Sequence, residues 1–308
     1  MQRRSTALVL ETNNIRGGDP GESKETLARL FERIAPQLAS LDELIVTHDG
    51  YSEAELGDLS SRSGREIRFV LLPPGTGYYR AKNIGFDATI ADLVAFADSD
   101  CDPTPEWLEA LLAPFADPSV DAVTGRTTYR EDLFGEALTA IDFPYFPSAH
   151  GRGFVRNFYA NNVAFRREVF GAHRYPTVEG MYRGHCQVLG LVLERSGVRM
   201  AFAPHAHTVH RLPDTVADFV RLRLHRGADT VELAPHLAHA AFGARGRWLG
   251  RLGPISTGAV LAGRFAVSVG AVAGISLIDG TGAFVRAVSG HRFGARDGEN
   301  VNLAYHNR

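Results

Sequence analysis

The stretch Leu93-Val94-Ala95-Phe96-Ala97-Asp98-Ser99-Asp100 decides the fold of this chain. Its apolar first half is typical of a strand that is buried on both faces of a parallel sheet. Asp98 and Asp100 stand where that strand ends, and α/β sheets bind ligands at the carboxyl ends of their strands. Two carboxylates at this place form the oxygen-rich site that Mg²⁺ or Mn²⁺ prefers. The alternative is an ordinary turn whose aspartates cap the helical pattern of residues 105–112.

Strand and helix patterns alternate through the first 125 residues, which predicts an α/β fold with a largely parallel sheet and helices on both faces. The predicted strands are 7–10, 43–47, 67–72, 93–97 and 121–124, and the predicted helices are 24–39, 80–91 and 107–115. Residues 126–160 are expected to be irregular. A helix over 186–195, a strand over 200–203 and a helix over 216–226 are predicted to follow.

Length and composition agree with one large α/β domain that carries an appendage. The chain has 308 residues, of which 44% are hydrophobic and 22% charged, so it can build a sizeable core. Its net charge of −2 gives no reason to expect nucleic acid as a partner. Only Cys101 and Cys186 are present, which suits a reducing compartment, and the apolar run near the N-terminus is too short for a signal peptide. We therefore expect a cytoplasmic protein.

The character of the sequence changes after about residue 245. Residues 255–278 are rich in Gly, Ala, Val and Ser and carry one charge, Arg264. Their length would span a bilayer, but their composition favours a helix on a membrane surface or packed against protein. We predict a catalytic domain over 1–230 and a helical, membrane-associated extension over 231–308 that ends in a loose tail. Contact with the inner face of the cell membrane stays open, as does the oligomeric state.

Four motifs, taken in order, resemble those of the family 2 glycosyltransferases with a GT-A fold. They are Glu11-Thr12-Asn13-Asn14 after the first strand, His48-Asp49-Gly50-Tyr51-Ser52 after the second, Gly77-x-x-x-Ala81-Lys82-Asn83-x-Gly85, and Asp98-Ser99-Asp100 with Pro103 and Trp107-Leu108 behind it. The resemblance covers about residues 5–230. It implies a Rossmann-like central sheet that binds a nucleotide-diphosphate sugar, a UDP- or GDP-sugar, together with Mn²⁺ or Mg²⁺.

The resemblance also assigns the donor side of the site. Asp100 is the first choice for direct metal ligation, and Asp98 is expected to reach the metal or the ribose. Asp49 matches the position that contacts the nucleotide base, although an ordinary turn aspartate is the alternative. Thr12, Asn14, Lys82 and Asn83 are the other candidates for contact with the nucleotide, with the diphosphate or ribose as the expected target of Lys82 and Asn83.

A histidine far downstream supplies one more metal ligand in many members of the family, and His210 falls at the matching place. Neutral imidazole can join carboxylates on Mn²⁺. Within the same segment His205 and His207 remain competing candidates. Arg226 resembles the arginine that holds the diphosphate in processive members, with a solvent- or lipid-facing basic helix as the alternative.

The acceptor side departs from the family pattern. Many members carry Gly-Glu-Asp, whose acid deprotonates the acceptor hydroxyl, whereas this chain has Gly184-His185-Cys186. His185 or Glu179 is the candidate general base, and the alternative that neither acts so stays open. Asn161 and Asn162 are candidate partners of the acceptor hydroxyls, although they would need no function as turn residues.

The sequence therefore predicts a metal-dependent hexosyltransferase that passes a sugar, with inversion, to a hydroxyl acceptor. That acceptor is a carbohydrate, a lipid-linked molecule or a small molecule. A non-catalytic protein that binds nucleotide sugars is one alternative, because the expected carboxylate is missing. A nucleotidyltransferase is a weaker one, because residues 15–19 are too short and wrongly ordered for its glycine-rich phosphate loop.

Overall fold

A mixed eight-stranded sheet with flanking helices forms the body of the protein. The computed structural model describes residues 3–12, 20–177 and 183–212, with a few isolated positions between 215 and 237. The strands are β1 (Thr6–Glu11), β2 (Glu43–His48), β3 (Arg68–Leu71), β4 (Leu93–Asp98), β5 (Cys101–Pro103), β6 (Ala122–Thr128), β7 (Asn162–Arg166) and β8 (Met200–His210). The helices are α1 (Pro20–Leu38), α2 (Glu53–Ser63), α3 (Tyr78–Asp87), α4 (Trp107–Leu112), α5 (Leu133–Asp142), α6 (Arg167–Ala172) and α7 (His185–Arg195), and a 3₁₀ helix covers Ala113–Ala116.

The strand order in the sheet is β3-β2-β1-β4-β7-β6-β8-β5. The four strands β3, β2, β1 and β4 are parallel to one another, as the alternating pattern predicts. Beyond β4 the pairs are antiparallel: β7 with β4, β6 with β7, and β5 with β8. The α/β class is therefore confirmed, and the expectation of a largely parallel sheet is right for its first half only.

Several elements differ from the sequence-based expectations. Helix α2 was not predicted, although Ser52 and Glu55 form a capping box at its start and Gly64 ends it in the left-handed conformation at φ 63°. Helix α5 lies within the supposedly irregular segment, and the Asp132 side chain accepts a hydrogen bond from the Gly135 backbone N–H at its N-terminus. Strand β8 continues to His210 instead of ending at residue 203.

Helix α3 packs unusually close to the sheet because residue 85 is glycine. A Cβ atom there would lie 2.4 Å from Val9 Cγ1 and 3.0 Å from Thr47 Cγ2. The close approach brings the first turn of α3 to the carboxyl ends of β1 and β4, both of which are buried along almost their whole length. Tyr78 and Lys82, one helical turn apart, are thereby placed beside Asp98.

The described residues fall into two compact units. Those within Met1–Thr127 and Pro147–His210 form the first, and those within Thr128–Phe146 and beyond His210 form the second. No helix in the described ranges is both long and apolar enough to cross a membrane. The predicted helix 216–226 falls on positions that are for the most part not described, and segment 255–278 lies outside the described residues altogether. The predicted boundary at 230 and the membrane contact stay predictions.

Candidate active site

The carboxyl ends of β1, β2 and β4 meet at one edge of the sheet. In the strand register Glu11 lies opposite Thr47 on one side and opposite Asp98 on the other. Asp49 follows directly after β2 and is exposed, so it stands at the same edge. The parallel half of the sheet therefore collects the predicted donor-side carboxylates in one place, as expected for ligand binding in such sheets.

Asp98 is fully enclosed at this edge by two side chains from α3. Lys82 Nζ lies 2.6 Å from Asp98 Oδ1 and 3.0 Å from the Ala97 carbonyl oxygen, and Lys82 is completely buried. The Tyr78 hydroxyl donates to the same carboxylate, at 3.0 Å from Oδ1 and 2.8 Å from Oδ2. Burial first, and then the charge of Asp98, raise the pKa of Tyr78 well above its ordinary value, so the phenol keeps the proton that it donates.

Asp100 and His210 come together although they are far apart in sequence. The antiparallel pairing of β5 with β8 sets Cys101 opposite His210, and His210 Nε2 lies 3.9 Å from Asp100 Oδ2. The side chains of His210 and Asp100 keep 11% and 9% of their surface exposed, so both are accessible from solvent. Carboxylate and imidazole at this separation suit a divalent cation such as Mn²⁺ placed between them.

Cys101 adds a third type of atom to the same place. One potential ligand atom each from Asp98, Asp100 and Cys101 lies within 4.8 Å of the others. Burial raises the pKa of the Cys101 thiol well above its ordinary value, and Asn161 Nδ2 donates to its sulfur at 3.6 Å. The cluster thus consists of two carboxylates and a protonated thiol, with the His210 imidazole beside Asp100, and such a set fits Mn²⁺ better than a purely soft metal.

The structure gives the other predicted nucleotide contacts structural tasks. Lys82 is buried in an ion pair with Asp98, and its contact with a diphosphate or ribose stays a prediction. The Asn83 amide bonds the backbone of Tyr175 through both of its ends, at 3.0 and 3.3 Å. The Thr12 hydroxyl donates to the Thr47 carbonyl oxygen at 2.6 Å and ties β1 to β2. Contacts of Asn83 and Thr12 with a nucleotide stay predictions.

Asn162 has a structural task in the core, and its predicted contact with an acceptor stays a prediction. Its side chain is completely buried, where Oδ1 accepts from Trp107 Nε1 at 2.9 Å. Its Nδ2 donates to the carbonyl oxygens of Arg126 and Ala206 at 3.0 and 2.8 Å. These bonds use both donors of the amide and join β6, β7 and β8 with α4, so Asn162 is a residue of the core.

The candidate bases are placed only in part. His185 begins α7 and is buried, with 4% of its surface exposed. The centre of its ring lies 4.3 Å from that of Tyr79. Tyr79 in turn contacts Tyr78 with ring centroids 4.7 Å apart, and the Tyr78 hydroxyl donates to Asp98. Aromatic ring contacts therefore connect His185 with the residues around Asp98. Cys186 follows His185 in α7 and is buried, and burial raises the pKa of its thiol, as expected for a packed cysteine. The other predicted site residues, Glu179, Asn14 and Arg226, lie outside the described residues.

The family model for glycosyl transferase family 2 matches residues 21–174, which is half of the 308-residue chain. The chain belongs to glycosyl transferase family 2. The match spans the donor-side edge of the sheet, including Asp49, Asp98 and Asp100, and membership identifies the protein as a glycosyltransferase. The GT-A fold predicted from the motifs is confirmed as well, because the mixed sheet resembles those of solved GT-A enzymes.

The relatives and structural neighbours act on different substrates. Glucosyl-dolichyl phosphate glucuronosyltransferase of Haloferax volcanii is 26% identical over 222 residues, which are 64% of this chain and 68% of that protein. Glucosyl-3-phosphoglycerate synthase of Mycolicibacterium smegmatis is 35% identical over 97 residues, so the match spans about a third of that enzyme. A mannosyltransferase from Pyrobaculum calidifontis, solved with GDP-Man and Mn²⁺, has a TM-score of 0.58 at 18% identity, covering 93% of this chain and 81% of the other.

Two features of this family 2 enzyme were not predicted from its sequence. Tyr78 was missed as a partner of Asp98, although its spacing from Lys82 puts both on one face of α3. His48 was missed as the support of the turn that carries Asp49. Its Nδ1 accepts from the Tyr51 backbone N–H at 3.1 Å, and the two rings stack at 5.3 Å with an interplanar angle of 6°.

Proposed function

We propose that this family 2 enzyme transfers a sugar from a UDP- or GDP-sugar to a hydroxyl acceptor, with Mn²⁺ or Mg²⁺ held by Asp100 and His210. The approach of His210 Nε2 to Asp100 Oδ2 carries the proposal, since it joins the two predicted ligands across the sheet. Neighbours of the same fold support it: the Pyrobaculum enzyme was solved with GDP-Man and Mn²⁺, and a Mycobacterium tuberculosis synthase with Mn²⁺ and UDP-Glc.

The donor side follows from the polarity of the sheet edge. The bound cation would stabilise the negative charge that develops on the leaving diphosphate. Asp49, exposed beyond β2, is the residue proposed to contact the base of the nucleotide, and the stacked His48 and Tyr51 hold its turn in place. Asp98, which is paired with Lys82 and hydrogen-bonded by Tyr78, is proposed to orient the ribose or the metal.

The acceptor side is the finer part of the proposal. We assign His185 as the general base that takes the proton of the acceptor hydroxyl in an inverting transfer, with Glu179 as the alternative. The support for His185 is that it begins α7 and that its ring lies 4.3 Å from that of Tyr79, which in turn contacts Tyr78. The acceptor itself, carbohydrate, lipid-linked or small, stays open, as do the cytoplasmic location and the peripheral membrane contact.

Donor hydrolysis tests the proposal without knowledge of the acceptor. Purified protein is incubated with a panel of UDP- and GDP-sugars and Mn²⁺, and the release of nucleoside diphosphate is measured. We expect release from at least one donor, its loss in Asp100→Ala, and its retention in Asp102→Ala. Asp102 is the matched control because it is exposed and pairs with Arg33 at 2.7 Å on the surface.

The same assay separates the enzyme from a protein that only binds nucleotide sugars. The missing carboxylate at position 185 is the observation that favours this second candidate. Calorimetric binding of UDP or GDP with Mn²⁺ in the absence of any hydrolysis or transfer would support it. If Asp100→Ala binds nucleotide with Mn²⁺ as tightly as the parent chain, the metal assignment is wrong in both cases.

A further inference from the structure

A cysteine follows the acidic motif directly, and its sulfur lies among the carboxylates at the end of β4. One potential ligand atom each from Asp98, Asp100 and Cys101 lies within 4.8 Å of the others, and Cys101 Sγ is 4.0 Å from Asp100 Oδ1. Zinc binds sulfur at about 2.3 Å and carboxylate oxygen at about 2.0–2.2 Å, so a tetrahedral site sets the two atoms about 3.5 Å apart. Small side-chain rotations therefore suffice to close this cluster around one ion.

The strand pairing directs the Cys101 side chain toward this cluster. Within β5, Cys101 and Pro103 are buried and Asp102 between them is exposed, so the cysteine faces the protein interior. Cys101 lies opposite His210 of β8, and residues directly opposite each other in an antiparallel pair share a face of the sheet. His210 Nε2 in turn approaches Asp100 Oδ2 at 3.9 Å. Thiol, imidazole and carboxylate, the three ligand types of protein zinc sites, therefore meet at one place.

Sulfur changes which cations the cluster prefers. Carboxylate oxygens suit Mg²⁺ and Mn²⁺, whereas a thiolate selects softer ions, and the affinity at mixed sites rises from Mn²⁺ to Zn²⁺. Zn²⁺ is borderline-soft, so it accepts the oxygen ligands as well as the sulfur. The Asn161 amide donates to Cys101 Sγ at 3.6 Å, and such an outer hydrogen bond supports a negatively charged sulfur ligand. On binding, the thiol releases its proton to solvent and coordinates the ion as a thiolate.

We propose that Cys101 makes this edge of the sheet a binding site for thiophilic divalent cations of the Zn²⁺ class, with the sulfur and the neighbouring carboxylates as ligands. The sulfur ligation stands on the cluster alone, and only its consequence, competition with Mn²⁺, rests on the proposed function. Mn²⁺ prefers six oxygen-rich positions and leaves several of them to a diphosphate, whereas four-coordinate zinc with protein ligands keeps few. Zinc would therefore displace Mn²⁺ and hold the enzyme in an inhibited form.

Cobalt spectroscopy of the purified chain tests the ligation without any activity assay. Co²⁺ that is bound by a thiolate shows a sulfur-to-metal charge-transfer band in the near ultraviolet, which oxygen and nitrogen ligands do not give. We expect the parent chain to show this band, Zn²⁺ to abolish it by displacement, and Cys101→Ser to lack it. Cys186→Ser is the matched control, because Cys186 is the chain's other cysteine and is also buried, with its sulfur 3.5 Å from the Tyr79 hydroxyl. This variant should keep the band with Cys101 as its only thiol.

Calorimetry with Zn²⁺ and Mn²⁺ gives the second readout. The affinity for Zn²⁺ should fall at least about tenfold in Cys101→Ser, since even outer-shell partners of a metal ligand are worth about 10–100-fold, while the affinity for Mn²⁺ should stay within a few-fold. Bound Co²⁺ without the band, a band lost in Cys186→Ser, or equal Zn²⁺ affinities of the parent and folded Cys101→Ser would overturn the inference and leave the Mn²⁺ site standing. A parent chain that binds none of these cations would overturn both. The spectra of the parent chain and of Cys186→Ser decide the question even if Cys101→Ser does not fold.

Discussion

Replacement of Asn162 by alanine should destabilise the fold far more than replacement of its neighbour Asn161. The Asn162 amide makes three hydrogen bonds, two buried ones with Trp107 Nε1 and the Ala206 carbonyl oxygen and a partly buried one with the Arg126 carbonyl oxygen. A buried polar group left without its partner costs about 1–3 kcal/mol, so three such groups, each at the lower end of that range, cost about 3 kcal/mol. That is a large part of the roughly 5–15 kcal/mol by which a typical domain is stable.

Asn161 is the matched control, because it adjoins Asn162 in sequence and is also buried. Its side chain accepts from Thr127 Oγ1 at 3.3 Å and donates to Cys101 Sγ at 3.6 Å, which are longer and weaker contacts. We expect Asn161→Ala to cost about 1 kcal/mol. Gly125 shows how tightly the Asn162 amide is enclosed, since a Cβ atom there would lie 2.4 Å from Asn162 Oδ1.

Urea unfolding of the two alanine variants, followed by circular dichroism, measures the difference. The free energy of unfolding of Asn162→Ala should lie about 2 kcal/mol or more below that of Asn161→Ala. Equal losses in the two variants, or a smaller loss for Asn162→Ala, would refute the assignment of Asn162 to the core.

Two further predictions concern packing and pH. Gly85→Ala should cost about 1–3 kcal/mol in urea unfolding because its Cβ atom would lie 2.4 Å from Val9 Cγ1, whereas Gly57→Ala, with nothing within 4 Å, should be neutral or stabilise α2 by up to about 1 kcal/mol. An equal effect of the two substitutions would contradict the close packing of α3. Burial lowers the pKa of His48, with Asp49 opposing the shift, so its contribution to stability is present above about pH 6.5 and decreases as the pH falls toward the lowered pKa. Unfolding between pH 7 and 5 should show a flatter decrease in His48→Gln, and an unchanged slope would count against the buried neutral imidazole.

The donor side of the site was predictable from sequence because its signals are local. An apolar run that ends in two aspartates marks both a buried strand and the end of that strand, and the chain's strand–helix rhythm puts β1, β2 and β4 in one parallel group. His210 was singled out only through the resemblance to a family; the structure brings it to 3.9 Å from Asp100, and its role as a metal ligand stays a prediction. Alternation along a strand leaves His205, His207 and His210 open, and the pairing of β8 with β5 sets His210 opposite Cys101.

The tasks of Lys82 and Asn162 could not be predicted because they depend on contacts between distant segments. A lysine on a short helix is more often solvated than buried, and the ion pair with Asp98 requires the close approach of α3 that Gly85 allows. Asn162 resembles a turn residue in sequence, whereas Trp107 reaches it from another element of the fold. The antiparallel half of the sheet was not predicted for the same reason, because β5 and β7 are short and pair with strands that are far away in sequence.

Diffraction from crystals grown with Mn²⁺ and UDP or GDP tests the central claim most directly. Anomalous scattering locates the manganese without any assumption about the chemistry. We expect a single peak in direct contact with Asp100 and His210 Nε2, with the diphosphate on its open side. A peak that contacts neither Asp100 nor His210, or no manganese at this edge while nucleotide is bound, would contradict the proposed site.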